Sequence, residues 1–230
     1  MAREIYKETL GNDQIIRVMM SDRFDGDFSI SHSGYPVVEA NRQKFFSGKW
    51  IGLEQVHKTD LVWINRESTS KSFKADGLIT KLSEVALSIT TADCAPLALI
   101  EENGIFSMLH LGWRSLKNGL LENTVAQMRK KSDASIKAVL GPCVHPCCYE
   151  FGEDLLEDFF LKYGKDCKGK SKRGVSSLDI PAALNAALDN LGISLEKSDS
   201  SCTSCDDRYW SYRREKIPKR QVMFAWKTSS

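Results

Sequence analysis

Histidine is scarce in this sequence, and the setting of each of its four copies (His32, His57, His110 and His145) is therefore informative. His57 lies in Glu54-Gln55-Val56-His57-Lys58-Thr59-Asp60, next to an apolar segment that reads as a strand. His110 closes another apolar segment and is followed by Leu111-Gly112-Trp113-Arg114. Cys94 sits in Thr90-Thr91-Ala92-Asp93-Cys94-Ala95-Pro96, a break between two apolar strands. Strand ends and strand breaks are where α/β folds place reactive groups. Two neutral imidazoles and one thiolate suit a single Zn²⁺, whose fourth position stays open for water or substrate in catalytic sites. Two other uses fit the same residues. Each can be a satisfied core side chain, and Cys94 can be a nucleophile with His110 as its base. Spacing alone does not choose among them.

The other cysteines are clustered. Gly141-Pro142-Cys143-Val144-His145-Pro146-Cys147-Cys148-Tyr149-Glu150 is like the Pro-Cys-x-x-Cys half of zinc nucleobase deaminases. The match fails, because three residues separate Cys143 from Cys147 and no His-x-Glu precedes them. Cys202-Thr203-Ser204-Cys205 can join this cluster in a second, structural zinc site; buried or idle thiols are the commoner outcome for such residues. Arg114, and Arg213 with Arg214 in Trp210-Ser211-Tyr212-Arg213-Arg214, are suited to capturing phosphate or carboxylate, or to surface ion pairs.

Several elements must position these groups. Continuous apolar runs at Ile15–Met20, Leu61–Ile64, Val85–Thr91, 97–100, 105–111, 139–140 and 222–226 predict strands buried on both faces. Apolar residues near a 3.6 period predict helices over 117–131, 152–163 and 180–191, the last with Asp179 as N-cap and Pro181 in the first turn. Strands alternating with helices predict an α/β, or mixed α+β, layered domain. Residues 162–177 are strongly basic and read as a solvated loop.

Composition narrows the functional classes. A chain of 230 residues with 42% apolar and 27% charged residues can build its own core without disulfide staples. The net charge of +2, from 32 basic and 30 acidic residues, carries no footprint for nucleic acid or an anionic membrane. The N-terminus lacks the apolar core of a signal peptide, and no run is long enough to span a bilayer. Seven cysteines is an odd count in a chain of ordinary size, which suits a reducing compartment. The expectation is a soluble cytoplasmic enzyme.

Taken in order, the segments resemble one known family. They are Glu54-Gln55-Val56-His57, Ala75-Asp76-Gly77-Leu78-Ile79-Thr80, Thr91-Ala92-Asp93-Cys94-Ala95-Pro96 and His110-Leu111-Gly112-Trp113-Arg114, then Gly141-Pro142-Cys143 through Cys147-Cys148-Tyr149-Glu150, Cys202-Thr203 and Ser211-Tyr212-Arg213-Arg214. The chain resembles the multicopper polyphenol oxidase, or laccase-domain, family over roughly residues 15–226. Its members are also described as multifunctional purine nucleoside phosphorylases and as a peptidoglycan editing factor. The resemblance implies one domain over residues 1–230, built of mixed sheets flanked by helices. It implies zinc, with copper the lesser alternative, bound by His57, Cys94 and His110. It implies phosphorolysis of adenosine, inosine and methylthioadenosine, and deamination of adenosine.

On that basis Arg114 is the leading candidate for orienting phosphate, with Arg42 the second, and Asp93 or Glu150 the proton carrier. The expected partners are a purine nucleoside and phosphate, with no nucleic acid or membrane, in a monomer or weak homo-oligomer. An amidase editing cell-wall precursors through Cys94, copper-dependent phenol oxidation, and a ligand-binding module without turnover are the alternatives. The sequence departs from the family at Asp22-Arg23-Phe24-Asp25-Gly26-Asp27, where a Gly-Gly-Val-Ser segment is usual. It departs again at Leu111, Ser115 and Lys219-Arg220. These changes bear on substrate range through the pocket wall more than on the metal.

Overall fold

The computed structural model describes residues 2–68 and 73–228. In chain order, β1 (Arg3–Thr9) and β2 (Ile15–Met20) precede two helices, α1 (Ile30–Ser33) and α2 (Tyr35–Gln43). Six strands follow: β3 (Lys49–Ile51), β4 (Leu61–Ile64), β5 (Gly77–Thr80), β6 (Val85–Thr91), β7 (Ala95–Glu101) and β8 (Phe106–Leu111). Next come α3 (Trp113–Lys117), α4 (Leu120–Arg129), β9 (Ile136–Leu140), α5 (Glu153–Tyr163), β10 (Lys168–Lys170) and β11 (Ser176–Leu178). The chain ends with α6 (Ile180–Asn190), β12 (Ser194–Ser198), α7 (Tyr212–Glu215) and β13 (Gln221–Thr228).

Two mixed sheets form the frame. One has the order β1-β2-β13-β6-β3 and the other β12-β9-β7-β8-β5-β4, with β10-β11 a separate hairpin. Strand alternation explains why the central runs are apolar without interruption. On β7, Ala98 and Ile100 face the core shared by the two sheets, with Val18, Ile89, Met108 and Met223. Leu97 and Leu99 face the opposite way, onto Leu121, Val125 and Met128 of α4 and Leu184 of α6. On β13, Met223 and Ala225 enter the shared core, while Phe224 and Trp226 pack with Trp50 and with Val38 of α2 on the outer face. The layers are therefore helix, sheet, sheet, helix, as expected for an α/β chain with a mixed α+β arrangement. Burying each large aliphatic side chain in these layers contributes about 1.5–3 kcal/mol.

The helix expected over 117–131 is two helices. Gly119, at φ +91°, takes a left-handed conformation and resets the chain between α3 and α4. Because α3 starts separately at Trp113, Trp113 and Arg114 occupy a helix start directly after β8. The basic segment 162–177 is more structured than a solvated loop. It includes the end of α5, a 3₁₀ turn over Lys165–Cys167 and the β10-β11 hairpin. The strands expected at Ile15–Met20, Leu61–Ile64 and Val85–Thr91 are present with those ends, the remaining predicted elements are present with shifted ends, and Asp179 caps α6 by accepting from the Ala182 amide at 2.9 Å. Among the described residues, no helix is long and apolar enough to cross a membrane.

Candidate metal centre

Cys94 lies where the chain passes from one sheet to the other. Strand β6 ends at Thr91 in the first sheet and β7 starts at Ala95 in the second. Asp93 makes the turn at φ +94°, a costly conformation for a residue with a Cβ. Its carboxylate is held by three donors: Thr203 Oγ1 at 2.8 Å, Ser211 Oγ at 2.7 Å and the Arg213 amide at 2.7 Å. That network fixes the turn and, with it, the direction of the Cys94 thiol.

His57 also has a left-handed backbone, at φ +58°. Two groups pin its loop. Gln55 donates to the Thr90 carbonyl at 2.8 Å and accepts from the Thr90 amide at 2.9 Å, which ties the loop to β6. Asp76 accepts from the Val56 amide at 3.2 Å and the Lys58 amide at 2.7 Å. The second oxygen of Asp76 takes His110 Nδ1 at 2.7 Å. Asp76 is fully buried, so one carboxylate positions both imidazoles. Burial opposes its ionisation, yet the hydrogen bonds from His110 and from the loop amides outweigh this and hold its pKa below the usual carboxylate range.

The structure brings all three predicted ligands together. Their donor atoms lie within 4.8 Å of one another, and Cys94 Sγ is 3.8 Å from His57 Nε2. A tetrahedral zinc with ordinary Zn–S and Zn–N bonds separates such a pair by about 3.6 Å. The Asp76 bond to Nδ1 of His110 leaves Nε2 for a metal, the usual carboxylate–histidine arrangement. Gly112 makes room for the cluster, since a Cβ there would sit 3.2 Å from both Cys94 Sγ and His57 Cδ2. The donor set, its spacing and its oriented imidazole fit one metal ion.

Charge is already separated in the cluster. Burial tends to raise the Cys94 thiol, but the His110 imidazolium and hydrogen bonds from both imidazoles bring it down to about 6. Burial tends to lower His110, but the Cys94 thiolate and Asp76 raise it to about 9. In metal-free protein, alkylation of Cys94 should therefore accelerate with pH through a midpoint near 6. An ordinary thiol does so near 8.5. Rates of iodoacetamide labelling across pH, read by peptide mass, test this, and metal should suppress the reaction.

The centre opens into a cleft of about 1390 Å³ that is also lined by Arg42, Trp50, Trp113, Arg114, Tyr149, Arg213 and Arg220. Arg114 lies 4.4 Å from the Trp113 ring centre and Arg213 4.7 Å from that of Tyr149, each guanidinium set over an aromatic face. Arg42 is 5% exposed; its Nη1 lies 3.7 Å from the Glu39 carboxylate, and among the described residues its Nε has no hydrogen-bond partner. Arg214 serves a different purpose from Arg213. It donates to the carbonyls of Thr203, Asp206 and Tyr209 and so fastens the loop that supports Asp93.

The two carboxylates expected to carry protons are otherwise engaged. Asp93 is committed to its three donors, and Glu150 pairs with Arg173 and Ser171 outside the cleft lining. The acidic segment 22–27 does not line the cleft either; Phe28, Ser29, Ile30 and Ser31 do. Asp27 instead accepts from the Ser29 and Arg220 amides and from Ser33. The supporting groups Gln55, Asp76, Thr203 and Ser211 were visible only as members of the quoted segments. A lone acid at the start of an apolar strand was the one signal for Asp76.

Residues 34–228 match the family described as multi-copper polyphenol oxidoreductase laccase. A protein named purine nucleoside phosphorylase YfiH from Shigella flexneri is 31% identical over 197 residues, covering 82% of this chain and 80% of its own. One named purine nucleoside phosphorylase from Campylobacter jejuni is 28% identical over 236 residues, covering 96% of each chain. Among solved structures, a Neisseria meningitidis protein superposes with a TM-score of 0.81 at 23% identity, covering 97% of this chain and 99% of its own. YlmD from Geobacillus stearothermophilus gives 0.75 at 21% identity, covering 98% of this chain and 99% of its own. By sequence over most of its length, and with the same fold as these structures, the chain belongs to the multi-copper polyphenol oxidoreductase laccase family.

Proposed function

We propose that this chain is a zinc-dependent enzyme of purine nucleosides, working as one domain over residues 1–230. Its reactions would be phosphorolysis of adenosine, inosine and methylthioadenosine, and deamination of adenosine. The observation that carries the proposal is the His57–Cys94–His110 cluster in the lining of a cleft that also presents arginines and aromatic rings. Relatives named purine nucleoside phosphorylase, 31% and 28% identical, support the substrate class.

His57, Cys94 and His110 would hold the metal, with Asp76 orienting His110. Zinc bound there would supply Lewis-acid stabilisation of negative charge. The chain's own groups do the rest. Trp113 and Tyr149 are the partly exposed aromatic rings of the cleft that could meet a purine, and Arg42 and Arg114 offer guanidiniums for phosphate. In phosphorolysis a phosphate oxygen bonds to C1′ as the C1′–N9 bond breaks, and the purine leaves with the bonding pair. An arginine that holds the phosphate against C1′ contributes by orientation and by excluding water. The buried Nε of Arg42, without a partner among the described residues although its Nη1 pairs with Glu39, makes it as strong a candidate as Arg114 for that work.

Two variants test the phosphate contacts. Arg42→Gln and Arg114→Ala should each raise KM for phosphate about ten- to a hundredfold, the cost of a charge-assisted contact of about 1.5–3 kcal/mol. Zinc content should not change. The reaction itself is tested by giving purified protein adenosine and inosine, with and without phosphate. Free base with ribose 1-phosphate, or inosine from adenosine, is expected. None of these products from zinc-loaded, copper-loaded or metal-free protein would reject the proposal.

One observation favours a second reading. The lowered Cys94 thiol beside His110 is also the nucleophile–base pair of an amidase. A covalent adduct on Cys94 during turnover, with amide cleavage surviving complete metal removal, would establish that reading instead. Copper-dependent phenol oxidation is disfavoured by the donors. His32 bonds Asp27 at 2.8 Å, and neither His32 nor His145 belongs to the metal-ligand groups found among the described residues. One two-imidazole, one-thiolate set cannot supply the many histidines that several coppers need.

A further inference from the structure

A second cluster lies apart from the three-residue centre. Cys147 and Cys148 sit on the 3₁₀ turn Pro146–Cys148, and Cys202 and Cys205 on a tight turn closed by the Cys205 and Asp206 amides, each 2.9 Å from the Cys202 carbonyl. The turns are tied side by side. The backbones of Cys143 and Cys202 bridge, the Thr203 amide donates to the Cys143 carbonyl at 2.9 Å, and the His145 amide donates to Cys202 Sγ at 3.4 Å.

All four sulfurs lie within 4.8 Å of one another. Cys205 Sγ is 3.5 Å from Cys147 Sγ and 3.3 Å from Cys148 Sγ. Four thiolates around one zinc stand about 3.8 Å apart, given Zn–S bonds of about 2.3 Å. We propose that Cys147, Cys148, Cys202 and Cys205 form a second, structural zinc site that braces one wall of the cleft.

Packing gives no reason for the cluster. Cys205 is exposed and Cys147 and Cys148 are partly so, unlike the buried core thiols Cys143 and Cys167. All seven cysteines are free thiols, and a disulfide would use two of these four sulfurs and leave two idle. Four sulfur ligands saturate zinc and leave no position for substrate, which marks a structural site. Binding sends the thiol protons to solvent and leaves the site anionic. Lys172 answers that charge: its ammonium interacts favourably with Cys205, and its amide donates to the Cys147 carbonyl at 3.0 Å. The placement gives the metal a purpose. Cys148 precedes Tyr149 of the cleft wall, while Cys202 and Cys205 flank and follow Thr203, which holds Asp93 beside Cys94.

The full chain, produced with zinc in the medium and purified without chelators, tests the site by metal analysis. Wild type should carry two zinc ions, Cys205→Ser and Cys148→Ser one each, Cys94→Ser one, and the Cys94→Ser/Cys205→Ser double variant none. The two single variants at the cluster should also melt earlier than wild type. Should they fail to fold, wild type alone decides. Cys147, Cys148, Cys202 and Cys205 should resist maleimide until a strong chelator is added, as read by peptide mass. Full labelling of all four without chelator would overturn the proposal. So would a disulfide among them, or a single zinc that Cys205→Ser retains and Cys94→Ser loses.

Discussion

Cys94→Ser should abolish turnover and strip metal from the catalytic centre, even though the substitution changes a single atom. The thiolate is the one anionic donor of the set, and its neighbours His57 and His110 are neutral ligands once a cation replaces the proton between them. A serine hydroxyl stays protonated near neutral pH, so the variant offers zinc two imidazoles and a weak oxygen. The loss should exceed about 100-fold in affinity, since removing an outer-shell partner alone costs 10- to 100-fold. Chelator competition measures the affinity and the nucleoside assay the turnover. Cys167→Ser is the control. Cys167 lies under α6 and donates to the Gly164 carbonyl at 3.0 Å, a bond serine can also make, so metal and turnover should match wild type. Full metal retention with turnover lost in Cys94→Ser would instead mark Cys94 as a nucleophile.

Asp76→Asn should come next in size, although Asp76 is assigned no contact with the metal. Asp76 accepts on both oxygens, from His110 on one side and from the Val56 and Lys58 amides on the other. An asparagine has one oxygen and one NH₂. If its oxygen faces His110, its NH₂ confronts two backbone donors in the His57 loop. If it turns round, it confronts the His110 N–H and disfavours the ligand tautomer. Either way one imidazole loses its orientation. Metal affinity and turnover should fall about 10- to 100-fold. Stability should fall by about 1–3 kcal/mol, because buried donors are left without acceptors. Zinc competition and thermal melting read the two effects separately. A variant that melts early but binds zinc as tightly as wild type would reduce Asp76 to a structural residue.

The contrast between Cys94 and Asp76 shows what the sequence made legible. His57, Cys94 and His110 could be singled out because imidazoles and thiols are rare and their chemistry is specific to type. An acid is not rare, and what distinguishes Asp76 is complete burial against amides about twenty positions away, which residue type does not announce. Asp93 shows the same limit. It reads as a candidate proton carrier beside Cys94, and its bonds to Thr203 and Ser211, more than a hundred residues on, which also make it a brace for a strained turn, were not legible. Central strands were legible from their apolar runs, because β7, β8 and β13 are buried on both faces. Short edge strands such as β3 and β12, with three and five residues, carried too little pattern. The order of the sheets was not legible at all. The pairing of β13 with β2 and β6 joins residues some two hundred and some one hundred and thirty positions apart, which no local period encodes. Helix α4 showed its apolar face, but the break at Gly119 depended on one residue's φ.

The most direct measurement is an anomalous diffraction map, collected on either side of the zinc absorption edge, from crystals of protein purified without chelators. A metal peak within about 2.0–2.3 Å of His57 Nε2, His110 Nε2 and Cys94 Sγ is the predicted result. A map that shows zinc at Cys147, Cys148, Cys202 and Cys205 but none between His57, Cys94 and His110 would contradict it.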